Sequence, residues 1–148
     1  MFKLVKDLTV WWPVSVLTPD EDNPGVLKEE TFEAQLLIRS RDERKTYQQQ
    51  RDALVEQLPK SDDYLKDFAA ATAKAKEIGA EIDAYDRSMF HLIIQNWRGI
   101  VGDNDEAIAF SPAMLDMALD RDGVIVGINE AFQQAISSDK ARLGNSKA

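Results

Sequence analysis

The sequence predicts an α+β fold, mainly α-helical, with an N-terminal β-hairpin followed by about five helices. Three observations predict it. Apolar residues alternate at period two in the first forty or so positions, broken once by turn residues. From Ser40 onward they recur at steps of three and four. Capping residues stand where those helical runs begin. The 148 residues suit one domain over 1–138, divided into the hairpin (8–38) and a helical part (40–138), with a flexible tail at 139–148.

The first strand is LTVWWPVSVL, in which Val10, Trp12, Val14 and Val16 share a face. Pro13 lies inside it and cannot donate to a ladder, so the strand belongs at a sheet edge or turns its N–H side outward. Residues 18–26, TPDEDNPGV, are turn chemistry. The returning strand places Phe32, Ala34, Leu36 and Ile38 on one face, with Thr31, Glu33 and Gln35 on the other.

Ser40 and Glu43 have the spacing of a capping box and open a helix that should run to Leu58 before Pro59. Ser61, Asp62 and Asp63 start another, with carboxylates near the positive end of the helix dipole. Gly79 is the expected break or bend in it. The stripe Ile78, Ile82, Tyr85, Met89, Ile93 and Trp97 predicts a helix at the centre of the core, with Trp97 at its end. Residues 98–110 read as a loop with a short hairpin between Ile100-Val101 and Ala107–Phe110. Ser111 caps a helix with Pro112 at its first position. A last helix opens at Asp122 and Gly123 and turns Ile125, Ile128, Phe132 and Ile136 inward.

Composition narrows the chemistry. The absence of cysteine removes disulfides, thiolate nucleophiles and Cys-containing zinc sites. One histidine, His91, cannot build a triad or a His-rich metal site alone, and it reads as structural. No metal or cofactor is therefore expected. The acidic run Asp103–Glu106 resembles a calcium loop only at its start, because the sixth and twelfth places hold Ile108 and Met114 instead of Gly and Glu. The net charge of −8 disfavours a phosphate backbone as partner. The one basic stretch, Arg39 to Arg51, is mixed with acids and reads as a solvated helix face. The start, MFKLVKDL, has a short apolar run interrupted by Asp7 and does not read as a leader, and no stretch approaches the ~18 apolar residues of a membrane span. The chain should therefore bind proteins and not act as an enzyme. Trp11 and Trp12, adjacent on a strand, must point to opposite faces, so one of them needs cover or a partner. With Met117, a flexible apolar side chain, they are the candidate partner-binding residues.

Several segments together resemble one family. The hairpin begins VWWPVSVLTPDE and closes ETFEAQLLI. Later come IIQNWRGIVGDNDEAIAFSPAMLDMAL and GVIVGINEAFQQAI. The most specific part is WRGIVGDND, Trp97 to Asp105, followed by Phe110-Ser111-Pro112. This pattern resembles the tail assembly chaperones of long-tailed bacteriophages and prophages, over nearly the whole chain. It departs where the family pattern leads one to expect glycine after the acidic turn; here Glu106-Ala107 follows. The resemblance implies a protein that holds the tape measure protein, helps recruit tail tube subunits, works in the host cytoplasm and is absent from the mature virion. It also fits a homo-oligomer, since a long helical client favours multivalent contact. The alternative is a structural tail component, such as a completion or connector subunit.

Overall fold

The computed structural model describes residues 1–144. The chain forms two compact units: one from Met1–Ile38 together with the segment from Ile93 onward, the other from Arg39–Leu92.

The first unit is built on a three-stranded antiparallel sheet in the order β1-β2-β3, with β1 at Leu8–Pro19, β2 at Leu27–Ile38 and β3 at Ile94–Arg98. The hairpin has the expected faces. Val14 pairs with Phe32 and Trp12 with Ala34. Val14, Val16, Phe32, Ala34 and Leu36 are buried. Pro13 sits on the edge strand, as its missing N–H requires.

The third strand corrects the expected central helix. Trp97 does not end a helix; it lies on β3, where it pairs with Ala34. The physical reason is the free edge of β2. Its N–H and C=O groups need partners, and Ile94–Arg98 supplies them. A strand would normally put residues 94 and 97 on opposite faces. The register shifts between Gln35 and Leu36, so Gln95 is an extra residue on β3. That bulge lets Ile94 and Trp97 enter the same core, 2% and 6% exposed. The spacing of four between Ile93 and Trp97, which imitates a helix, is the product of a helix end followed by a bulged strand.

Two helices cover the apolar face: α4 at Pro112–Leu119 and α5 at Asp122–Ile136. Ser111 caps α4 by accepting from the Met114 N–H at 3.1 Å, and Pro112 stands in its first turn. Leu115, Leu119, Ile128 and Ala131 are buried. The helix α5 lies closely on β1 because its contacting face is nearly bare. A Cβ on Gly123 would stand 2.6 Å from the Leu17 carbonyl oxygen, and one on Gly127 would collide with that of Ser15. Ile125, Phe132 and Ile136, expected to point inward, are half-buried. The expected flexible tail holds a short 3-10 turn at Lys140–Arg142, where Asp139 accepts from the Ala141 N–H at 3.0 Å. Residues 145–148 of that tail lie outside the described residues.

The second unit is helical: α1 at Arg41–Glu56, α2 at Ser61–Lys66 and α3, which runs Phe68–Ile93 and passes directly into β3. Ser40 caps α1 through the Glu43 N–H, 3.2 Å away. The expected reciprocal half of the capping box is replaced by an ion pair, with the Glu43 carboxylate 2.7 Å from Arg39. The break between α2 and α3 falls at Asp67, not at Gly79. Asp67 is extended and its carboxylate accepts from the Ala70 N–H at 3.1 Å, which starts the new helix. Gly79 sits inside the uninterrupted α3. Only Ala71 and Ile78 of this unit are buried, so the stripe from Ile78 to Met89 is not the centre of the core.

Candidate functional site

The segment between β3 and α4 folds into a small tongue. Gly99 has φ +87°, a conformation that suits glycine and turns the chain away from β3. Ile100 and Ile108 are joined by a backbone hydrogen bond of 2.9 Å, and Val101 bridges Ala107. This is the short hairpin anticipated there. Its tip is closed from within. The Gly102 N–H donates to the Glu106 carbonyl (2.8 Å), and the Asn104 N–H to the Glu106 carboxylate (2.9 Å). Asp105 takes a positive φ of 58°, the conformation glycine would ordinarily provide and which aspartate tolerates. The acidic residues thus close a turn, and among the described residues no group of metal-ligating side chains gathers.

Trp97 anchors the tongue. Its indole Nε1–H donates to the Ile108 carbonyl at 2.8 Å. The ring meets Phe110 edge-on at 5.2 Å and Phe32 at 6.4 Å. The residues that carry the family resemblance, Trp97 to Asp105 and Phe110 to Pro112, therefore act as one structural device: they hold the tongue beside α4.

Between tongue, α4 and the end of β1 lies an open groove of about 1000 Å³. Its apolar lining includes Leu17, Val101, Ile108, Met114 and Met117. Met117 is 66% exposed and Val101 53%. Asp103, Glu106, Asp120 and Asp122 also line it, against a single cation, Arg121. The rim is therefore acidic. On the other side of Thr18 and Pro19 a second hollow of about 580 Å³ continues the surface towards Phe32 and Val124. Thr18 lines both, and its hydroxyl oxygen is buried without a hydrogen-bond partner. Such a groove can receive an apolar segment, and the two methionines can adapt to its shape.

Of the nominated residues, only Met117 is in the groove. Trp11 and Trp12 lie elsewhere, on opposite faces of β1, and both are half-buried. Trp11 is covered by Arg98, whose guanidinium carbon stands 4.1 Å from the ring centroid. Arg98 also pairs with Glu33 at 3.1 Å and holds that carboxyl below its ordinary pKa through the hydrogen bond. Trp12 donates to Gln134 on α5 at 3.2 Å, and Arg142 lies 5.7 Å from its ring. Neighbouring elements of the first unit thus supply cover for each tryptophan. Sequence reasoning missed Leu17, Val101 and Ile108. The signal was the apolar pair Ile100-Val101 and Ile108 flanking an acidic turn, which a plain solvated loop would not carry.

Some ionic groups of the helical unit are engaged locally. In the basic stretch, Arg51 makes a two-pronged bond to Asp86 at 2.8 and 3.0 Å, which raises the guanidinium pKa further. Arg39 reaches Glu43 and the Tyr47 hydroxyl at 2.7 and 2.6 Å. Burial raises the Tyr85 pKa; its hydroxyl lies 3.0 Å from the Tyr47 carbonyl and 2.9 Å from Gln50 Oε1. Arg51 and Tyr85 are thus parts of an ion pair and of helix contacts, and neither lines the groove.

No protein-family model, curated protein or solved structure matches the chain. Among the described residues no helix is long and apolar enough to cross a membrane.

Proposed function

We propose that the protein is a tail assembly chaperone of a long-tailed phage or prophage, acting by binding and without catalysis. Its client is the tape measure protein, held in the host cytoplasm until tail tube subunits are recruited onto it. The observation that carries this reading is that the residues of the family resemblance build one wall of an apolar, methionine-lined groove. A helical client with an unpartnered apolar face can lay that face on Met114, Met117 and Ile108. Release is helped by a groove that is open and only partly desolvating. The net charge of −8 keeps a loaded complex soluble.

Co-expression with a tape measure protein tests this. The client should be soluble with the wild-type chain and insoluble with Met117→Asp, which places a charge on the groove floor without touching a buried residue. A client equally insoluble with and without the wild-type chain refutes the function. Mass spectrometry of purified virions separates the alternative, since a structural tail component would be present in fixed copy number.

A further inference from the structure

The groove carries a charge pattern as well as an apolar floor, and the two together describe the segment that fits it. Its carboxylates come from two places: Asp103 and Glu106 from the tongue, Asp120 and Asp122 from the corner that joins α4 to α5. All four residues are exposed. Against these four carboxylates stands one guanidinium, Arg121. The Glu106 carboxylate is engaged in the turn of the tongue, where it accepts from the Asn104 N–H at 2.9 Å. Asp103 and Asp122 are therefore the rim residues best placed to meet a charge on a bound segment.

Size distinguishes the occupants. A helix with its side chains is about 10–12 Å across. Sunk to half its depth, it fills the groove's volume of about 1000 Å³ over a length of about 20 Å, close to four turns. Four turns present about four or five apolar side chains at steps of three and four, and the residues bordering that stripe meet the rim. An extended strand of the same length has about six residues and turns only about three of them to the floor. We propose that the groove takes an amphipathic helix of a partner protein whose apolar stripe is bordered by lysine or arginine, and that Asp103 and Asp122 set this preference. The stripe lies on Met114, Met117 and Ile108, and the bordering cations face the carboxylates. A stripe bordered by acidic residues brings like charges together as water leaves, and is rejected. This rests on reading the groove as the client's seat and adds the chemistry of the client segment it selects.

Titration calorimetry of the full chain with two designed helical peptides of about four turns tests it. The peptides share one apolar stripe, bordered by lysine in one and by glutamate in the other. The lysine-bordered peptide should bind about tenfold or more tighter at low salt, and the gap should narrow as salt rises. Asp103→Lys with Asp122→Lys should abolish or invert the preference. Arg121→Gln should widen it, since Arg121 makes no side-chain cap for α5 and its charge opposes the cations. These positions are exposed, so the variants fold. Equal affinity for the two peptides, or a preference that the double substitution leaves intact, overturns the proposal. If both peptides are still weakened by Met117→Ser, the groove stands as a binding site. A lysine-bordered peptide broken by proline should lose its binding; undiminished binding makes the occupant an extended segment and overturns the proposal as well. Neither peptide binding, while a tape measure protein is kept soluble, overturns the inference and leaves the function. A tape measure protein left insoluble by a chain that takes the lysine-bordered peptide faults the function alone.

Discussion

The two units of the chain are held together in different ways. In the first, side chains from three strands and two helices share one apolar core: Val14, Leu36 and Leu115 are fully buried, and Trp97 is wedged between Phe32 and Phe110. In the second, only Ala71 and Ile78 are buried, and the specific links between α1 and α3 are polar: Arg51 to Asp86, and Tyr85 to Tyr47 and Gln50. Exposed Leu65 and Phe68 show how little of the helical unit's apolar surface its own elements cover. Burial scales with area, whereas a half-exposed ion pair gives back most of its Coulomb energy to water. The first unit should therefore be the rigid platform for the groove, and the second the softer region, more easily opened.

Substitutions in each unit put that contrast to the test. The largest effect should come from Trp97→Ala, which removes the indole together with its bond to Ile108. A loss of about 3–5 kcal/mol in denaturant unfolding is expected, and an unchanged midpoint would show that the tongue is not anchored there. Next comes Gly127→Leu. Its side chain would drive α5 off the Ser15 carbonyl, costing roughly 3 kcal/mol; near-neutral stability would mean that the helix does not lie on β1. Ile78→Ala should cost about 2 kcal/mol, at the low end for a buried aliphatic side chain, because its unit has little core to lose. A cost matching that of Trp97→Ala would erase the contrast between the units. The smallest change should be Arg51→Ala. Both partners are more than a third exposed at the side chain, so screening leaves roughly 0.5–1 kcal/mol. A double-mutant cycle with Asp86→Ala measures the coupling directly.

The same contrast explains what could be read from the residues. The hairpin was legible because one face is buried and the other is not, which writes period two into the sequence. Ser111-Pro112 and Ser40 were legible because caps are local chemistry. The strand β3 was not, because what makes Ile94–Arg98 a strand is the unfilled edge of β2, some sixty residues away in sequence. Its bulge then disguised the pattern by keeping Trp97 in step with the preceding helix. The break at Asp67 was hidden because glycine is the louder signal, yet Gly79 fits inside a helix while an aspartate cap starts one. The groove was half visible. Met117 stood out as a flexible apolar side chain, but the tongue wall opposite depends on Trp97 holding Ile108, a contact that no local pattern records. The tryptophan pair needs cover, and neighbouring elements of the sheet unit supply it.

We propose the groove between tongue and α4 as the place where the client is held. Hydrogen–deuterium exchange of the chain alone and in complex with a co-expressed tape measure protein tests it most directly. Client binding should slow exchange in the tongue and α4, residues 99–119, and at the end of β1, and leave α1 and α2 unchanged. Protection confined to the helical unit, with the tongue and α4 exchanging as in the free protein, would rule out the groove as the client's seat.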